Sequence, residues 1–266
     1  MVAAVSLGVG IGFHFAGTKA QKSTQAEPAA EQTIAPATNT PAPNTEVAKP
    51  AVTPRQSLPR TNRTAVAEVI PNPVPIPNFE DAAVFKQILD SLVSPQTAYA
   101  DKQAMWKQLK DSGRLNQVIS ALEQKTTDGS GSADSAATLG QAYLKKCATT
   151  DDVRQQGIFA MRADEVFDTA LGQDSSNWDA RFYKAVSLSY WPAQMNKSQE
   201  VIDNFQTLIQ QQETHSPQPQ YALPYLWLGD QYQKAGSADL AAQTWQRGMA
   251  LFPENAELKN RIAGKQ

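Results

Sequence analysis

Side chains that carry metal or nucleophilic chemistry are sparse in this chain of 266 residues. Of its two histidines, His215 lies in a proline-rich loop with no cysteine or acidic cluster at the spacing of metal ligands. The single cysteine, Cys147, follows Tyr143 by one turn of an apolar helical pattern, which predicts a buried thiol. Asp151 and Asp152 are interpreted as the acidic start of a helix. Since no phosphate-binding loop, nucleophile elbow or HExxH motif occurs, we expect no enzymatic activity, no metal and no cofactor.

The charge of the chain is nearly balanced, with a formal net charge of −2. Proteins that bind nucleic acids usually carry a basic stripe, and the sequence has none, so we expect no nucleic-acid partner. Composition changes sharply along the chain, because eleven of the 17 prolines lie from Pro28 to Pro77. The remaining stretch, residues 79–266, has enough apolar residues to bury a sizeable core.

The most regular helical pattern lies in residues 225–253. Apolar and small residues recur there at helical spacing, Gly236 interrupts the pattern, and Pro253 ends it. Small residues would let two helices approach closely, and the rings of Tyr232 and Trp245 would fill the space beside them. The residues that carry the pattern are Leu228, Gly229, Tyr232, Ala241, Trp245, Gly248 and Pro253. They predict two amphipathic helices joined by a tight glycine turn.

This arrangement resembles the tetratricopeptide repeat (TPR), a 34-residue helix-turn-helix unit that stacks into solenoids. The same spacing occurs earlier in Leu139, Gly140 and Tyr143, with a second helix that carries Ala163, Phe167 and Ala170. The best repeat covers residues 222–255, and a further unit begins at Trp178. The resemblance implies an all-α fold, a TPR-like α-solenoid of antiparallel helix pairs.

Further helices are predicted at both ends of the array. Residues 79–93 form one helix, and residues 98–112 and 115–125 form a degenerate first repeat around Gly113. In the second repeat, the two helical motifs are 11 residues further apart than in the last one. We expect these residues to extend the helices around 149–156 as a protruding elbow, with Thr150 as a cap. Residues 254–262 are expected to be a solvating capping helix.

The resemblance also implies a partner-binding groove lined by the first helix of each pair. The predicted groove residues are those off the packing stripe, namely Gln141, Lys145, Arg181, Lys184, Asp230 and Lys234. The basic members are expected to meet carboxylates of a partner peptide. Trp227 is expected to face either this groove or the neighbouring repeat.

Residues 1–18 are predicted to be a transmembrane signal anchor, because residues 2–17 contain no Asp, Glu, Lys or Arg. A cleaved signal peptide and a true start further upstream are the alternatives. Lys19 and Lys22 favour a cytoplasmic C-terminal side, whereas the composition that follows favours the periplasm. We expect a single-pass protein of the bacterial inner membrane with a periplasmic domain. Gly8 and Gly12 form a G-x-x-x-G pair, which predicts a homodimer through this helix. The alternative is that this pair is accidental.

Residues 19–78 are predicted to be a disordered linker rich in Pro, Ala and Thr, since large apolar residues are too few to offset the cost of ordering. The chain is therefore expected to be a membrane-tethered adaptor or scaffold that binds a protein or peptide in the cell envelope. Two alternatives stay open. One is a cytochrome c maturation-type TPR factor that presents apocytochrome C-termini, and the other is a structural, self-assembling spacer.

Overall fold

The computed structural model describes residues 82–264, which form ten α-helices. In chain order they are α1 (Ala82–Val93), α2 (Tyr99–Asp111), α3 (Leu115–Thr127), α4 (Ala133–Cys147), α5 (Val153–Gln173), α6 (Trp178–Leu188), α7 (Ser198–Gln212), α8 (Ala222–Lys234), α9 (Ala238–Leu251) and α10 (Ala256–Ile262). Short 3-10 turns, Ala193–Met195 and Pro219–Tyr221, lie before α7 and α8. The all-α class is confirmed for this part of the chain. The predicted anchor and linker lie outside the described residues.

Polar side chains at the helix starts determine where several helices begin. Ser132 and Ser135 form a reciprocal capping box at the start of α4. The side chain of Asn177 accepts a hydrogen bond from the backbone NH of Ala180, at 2.9 Å, and so caps α6. At α5 the predicted cap, Thr150, is wrong. Asp152 caps this helix, because its carboxylate accepts from the first free backbone NH groups.

Three antiparallel helix pairs, α4–α5, α6–α7 and α8–α9, form the body of the domain. Successive pairs stack through α5 on α6 and α7 on α8, and α4 also packs against α6. Their buried side chains form one continuous hydrophobic core. The short helix α10 covers the last pair with the fully buried Leu258, as a capping helix should. This is the predicted α-solenoid of antiparallel pairs.

The predicted packing residues lie where the helices of a pair meet. Gly140 faces the ring of Phe167, and Gly229 faces the indole of Trp245, so that a Cβ at either glycine would overlap the ring. Tyr232 is half-buried and accepts a hydrogen bond from Gln206 at 2.7 Å. Pro253, which follows α9, is exposed. The other predicted packing residues are buried, namely Leu139, Tyr143, Leu228, Ala241 and Trp245.

The extra residues of the second repeat lengthen α5 at its N-terminus. This helix has 21 residues, whereas α9 has 14. Residues 148–152 between α4 and α5 are not helical, so the helices do not extend through all of residues 149–156 as expected. The elbow consists of this connection and the first turns of α5.

The degenerate first repeat does not form as predicted. Helix α3 packs along α4, and α2 makes little close backbone contact with α3. Gly113, in a left-handed conformation with φ of 72°, turns the chain between them. Helix α2 packs against α1 and α4, and its side chains also bond to α6, whose contacted residues lie about 80 positions later. Of the helices described, none is both long and apolar enough to cross a membrane.

Candidate functional site on the inner face

Helix α2 lies across the inner face of the solenoid, which we define as the surface of α4 and α6 that carries Gln141, Asp179 and Tyr183. The indole Nε1 of Trp106 donates to Oε1 of Gln141 at 3.2 Å. The Nζ atom of Lys102 pairs with Oδ2 of Asp179 at 3.2 Å. Because α4 and α6 belong to successive repeats, α2 bridges two units of the array.

Aromatic side chains continue this contact toward the start of α6. The side-chain amide of Gln103 donates to Oη of Tyr183 at 2.8 Å, and that hydroxyl donates to Oη of Tyr99 at 3.4 Å. Tyr99 also meets the ring of Trp178 edge-on, with centroids 6.3 Å apart. Burial raises the pKa of Tyr99 to about 12, and burial raises the pKa of Tyr183 well above its usual value. Both phenols therefore stay protonated and act as hydrogen-bonding groups.

The charged pair between α2 and α6 is unevenly buried. The side chain of Lys102 is 9% exposed, and that of Asp179 is 24% exposed. An ammonium group removed from water needs a partner, and Asp179 supplies it. On the opposite side of α2, Lys107 pairs with Asp111 at 2.5 Å in solvent. One side of α2 thus packs on the inner face of the solenoid, and the opposite side of α2 is exposed to solvent.

Beyond the N-terminus of α2 the inner face opens into a cavity of about 530 Å³, which we call the inner cavity. Three aromatic residues and three carboxylates line it, namely Tyr99, Trp178, Tyr221, Asp134, Asp174 and Asp179. Among the described residues that line the inner cavity, Lys102 is the one cation, and it is already paired. The inner cavity is therefore acidic and aromatic, and its charge fits a basic or neutral polar segment.

Local hydrogen bonds hold two of these carboxylates in place. Oδ1 of Asp134 accepts from the side-chain amide of Asn177 at 2.7 Å, which links the starts of α4 and α6. Oδ1 of Asp174 accepts from the hydroxyl and the backbone NH of Ser176, at 2.6 and 2.9 Å. These bonds lower the pKa of Asp174, with the hydroxyl contributing most. The Asp174 carboxylate therefore stays ionised at neutral pH.

The predicted groove residues of α4 lie at or beneath α2. Gln141 is buried and is bonded to Trp106. Lys145 is half-buried, and burial, followed by repulsion from Lys110 of α2, lowers its pKa to about 8. Helix α2 covers Gln141, and a role for Gln141 in binding a partner stays a prediction.

The predicted groove residues of α6 point toward the second helices of the pairs. The guanidinium of Arg181 donates to the side chain of Asn204 at 3.2 Å and to the backbone carbonyl of Ser175 at 2.7 Å. The ammonium of Lys184 bridges carboxylates of α5 and α7, with Nζ 2.5 Å from Asp168 and 3.0 Å from Glu200. These two cations stabilise helix contacts and do not line the inner face.

The predicted residues of α8 lie elsewhere again. Asp230 accepts two hydrogen bonds from Arg261 of α10, at 2.8 and 2.9 Å, and Lys234 is exposed at the end of α8. The six predicted groove residues therefore do not share one open surface. Trp227 is half-buried and packs against Phe205 of the neighbouring pair, with ring centroids 6.2 Å apart. Binding by any of the six groove residues stays a prediction.

Sequence reasoning missed the role of α2. Its contact residues, Tyr99, Lys102, Gln103 and Trp106, follow the i, i+3, i+4, i+7 spacing of one helix face. That spacing shows a face that needs a partner surface. It does not show which surface, since the residues contacted on α6 lie about 80 positions later.

The elbow of α5 forms a second, apolar surface. A cleft of about 240 Å³ lies between α5 and the end of α6, lined by Gly157, Ala160, Tyr190, Trp191 and other residues. On the same helix Val153, Ile158 and Met161 are each more than half exposed. Exposed apolar surface of this kind is typical of protein contacts.

Catalytic and metal chemistry find little support in residues 82–264. No group of three or more His, Cys, Asp or Glu side chains in this part of the chain could hold a metal ion. Cys147 is buried, its thiol donates to the backbone carbonyl of Gln156, and burial raises its pKa to about 12. The absence of enzymatic activity stays a prediction.

The chain is similar to several solved TPR structures. One is TTC0263, described as a thermophilic TPR protein of Thermus thermophilus, with 12% identity, a TM-score of 0.49, and coverage of 60% of this chain and 77% of that one. MamA is 16% identical, with a TM-score of 0.44 and coverage of 66% and 88%. YrrB, described as a TPR protein with an unusual peptide-binding site, is 12% identical, with a TM-score of 0.33 and coverage of 67% and 97%. No protein-family model and no curated protein matches the chain.

Since all these TM-scores lie below 0.5, the assignment of the fold rests on the helix pairs and their glycine–aromatic contacts. These features define an all-α, TPR-like solenoid. The inner face bears the acidic, aromatic cavity and carries α2 of the same chain.

Proposed function

We propose that the protein is an adaptor whose inner cavity binds a basic segment of a partner protein. The observation that carries the proposal is the presence of three carboxylates and three aromatic rings in one open cavity, in which the one lysine pairs with one of the carboxylates, Asp179. Lys and Arg side chains pair with carboxylates and also stack on aromatic faces, so a basic peptide satisfies both kinds of lining group. The volume of about 530 Å³ has room for a few side chains of such a segment.

The adaptor is proposed to be tethered to the bacterial inner membrane. Residues 1–18 would anchor it, residues 19–78 would act as a spacer, and residues 79–266 would form the binding domain in the periplasm. The uncharged apolar start and the proline-rich stretch that follows support this organisation. Such a tether would let the domain reach a protein partner in the cell envelope.

The cytochrome c maturation-type alternative depends on basic residues that receive a peptide carboxylate. Lys145, Arg181 and Lys184 do not share one surface. Arg181 already bonds to Asn204, and Lys184 already pairs with Asp168 and Glu200. The acidic inner cavity favours a ligand of the opposite charge. We therefore retain the basic-segment adaptor as the proposal.

Crosslinking from native membranes that contain the full-length protein tests this function. We expect one dominant envelope protein to be captured by the wild type and lost with Asp174→Lys, which reverses a charge at the exposed rim of the inner cavity. The matched control is Asp203→Lys, the same change on the exposed side of α7. Capture that is equal in both variants would place the partner elsewhere. Recovery of the protein alone would favour the self-assembling alternative, in which Gly8 and Gly12 join two anchors.

A further inference from the structure

Helix α2 contacts the inner face in the way a bound peptide helix would. It supplies Lys102 to Asp179 and Trp106 to Gln141, while Leu109, one turn further along, is fully buried. The three side chains form a Lys-x₃-Trp-x₂-Leu pattern on one helix face. Amphipathic helices commonly enter grooves through anchors at such spacing.

Few close backbone contacts join α2 to the helices beside it. Its backbone lies close to few residues of α1, α3 or α4, in contrast to the closely packed α4–α5 pair. A short segment that contains Pro95 precedes α2, and the Gly113 turn follows it. Residues 94–98 and 112–114 keep both ends of α2 tethered, so α2 would leave the inner face by turning about these two short connections.

The chemistry of the contact also favours exchange. The link between Lys102 and Asp179 is an ion pair partly removed from water, and the Coulombic gain of such a pair is largely offset by the cost of desolvation. When α2 leaves, both charges regain water. The buried Trp106 and Leu109 supply the remaining affinity, and a partner helix with equivalent side chains would reproduce it.

We propose that α2 is a built-in competitor that holds the inner face of α4 and α6 until an amphipathic helix with a matching Lys, Trp and Leu displaces it. This deepens the proposed function and rests on it, because the three carboxylates of the inner cavity lie outside α2 and remain when α2, with its Tyr99 and Lys102, is displaced. The free protein is autoinhibited. The partner's apparent affinity equals its intrinsic affinity multiplied by the fraction of molecules in which α2 has left the inner face.

A fluorescein-labelled peptide of residues 97–112, added to the full-length protein, tests the proposal by fluorescence anisotropy. Lys102→Glu places two carboxylates together and should release α2 without altering α4 or α6. We expect this variant to bind the wild-type peptide at least about tenfold more tightly than the wild-type protein does. Lys107→Glu is the matched control, since it makes the same charge change on the exposed side of α2 and should bind like the wild type. A peptide with Glu in place of Lys102 should bind none of the proteins.

Equal affinities for the three proteins, or no binding by the Lys102→Glu variant, would overturn the proposal. Hydrogen exchange on the wild type gives a test that does not depend on any variant. The amides of α2 should open at lower free energy than those of α6, and equal protection of both helices would contradict displacement. If the peptide binds but no membrane partner is captured by crosslinking, α2 is still a competitor and the proposed function is rejected. If a membrane partner is captured but the peptide does not bind, only the role of α2 is rejected.

Discussion

Gly229 lies directly against the indole of Trp245, so α8 and α9 approach each other at a point where a side chain on residue 229 has no room. Gly140 and Phe167 have the same relationship in the α4–α5 pair. The two repeats with the same sequence spacing thus share one packing contact. In each, a glycine of the first helix lies against an aromatic ring of the second helix.

Replacement of Gly229 by Ala should destabilise the domain by about 1–3 kcal/mol, because the added methyl group forces the buried Trp245 ring to move. The measurement is thermal or urea unfolding of the full-length protein followed by circular dichroism. Gly157→Ala is the control, since no atom lies near its added Cβ and Ala favours a helix interior. A loss of stability as large at residue 157 would show that the close approach is not the cause.

The ion pair between α2 and α6 should respond unequally to loss of its two partners. Asp179→Asn leaves the buried ammonium of Lys102 without a counter-charge and should cost about 1–3 kcal/mol. Lys102→Met leaves the Asp179 carboxylate, which reaches water, and the methionine side chain takes the place of the alkyl stem of Lys102. This substitution should therefore destabilise the domain less. A double-mutant cycle from urea unfolding measures the coupling. Equal losses from the two single substitutions would contradict the uneven burial.

Asp164 should make the stability fall with rising pH. Burial raises its pKa to about 6, and the hydrogen bond from Ser187, at 2.7 Å, only partly opposes this shift. Since the unfolded carboxyl titrates near 3.8, the folded state holds more protons between about pH 4 and 6, and its stability decreases through that window. Asp164→Asn keeps an acceptor for Ser187 and should be more stable than the wild type by about 1–2 kcal/mol at pH 7.

The difference between wild type and Asp164→Asn should become small as the pH falls below 3.8, because the wild-type carboxyl is then mostly protonated in both the folded and the unfolded state. Asp203→Asn, on the exposed side of α7, serves as the control and should show no such pH dependence. A gain from Asp164→Asn that persists unchanged at pH 3.5 would mean that ionisation is not responsible.

Lys145 should have the opposite dependence on pH. Its pKa is lowered to about 8 by burial and by Lys110, whereas the unfolded side chain titrates near 10.5. The unfolded state therefore binds more protons between these values, and stability should rise as the pH increases through that window. Lys145→Met should be more stable than the wild type at pH 7, by about 1 kcal/mol or more, and should lose this advantage by pH 10.5. The neighbouring Lys146→Met, measured by the same urea unfolding, is the control for a charge change at this end of α4.

Much of the fold could be predicted because its signals are local. The spacing of Leu228, Gly229 and Tyr232, repeated in Leu139, Gly140 and Tyr143, identified the first helices of two pairs, and Gly236 identified the turn in the last one. A helix places residues three and four apart on one face, so a stripe of small and apolar residues in the sequence already specifies a packing surface.

The candidate site could not be predicted in the same way. Periodicity shows that Arg181 and Lys184 lie off one stripe, yet the direction they face depends on where α5 and α7 pack. The inner cavity likewise brings Asp134, at the start of α4, together with Asp174 and Asp179, which lie on either side of the start of α6, at least 40 positions later.

The sequence by itself therefore determined the helices and the small and aromatic residues at which the helices of a pair meet, since these depend on neighbours within one helix pair. Only the tertiary structure decided that α2 covers Gln141 and that Lys102 reaches Asp179, 77 positions away. Such contacts arise because the stacked helices create a surface that is absent from any single pair, and the amphipathic face of α2 is buried on it.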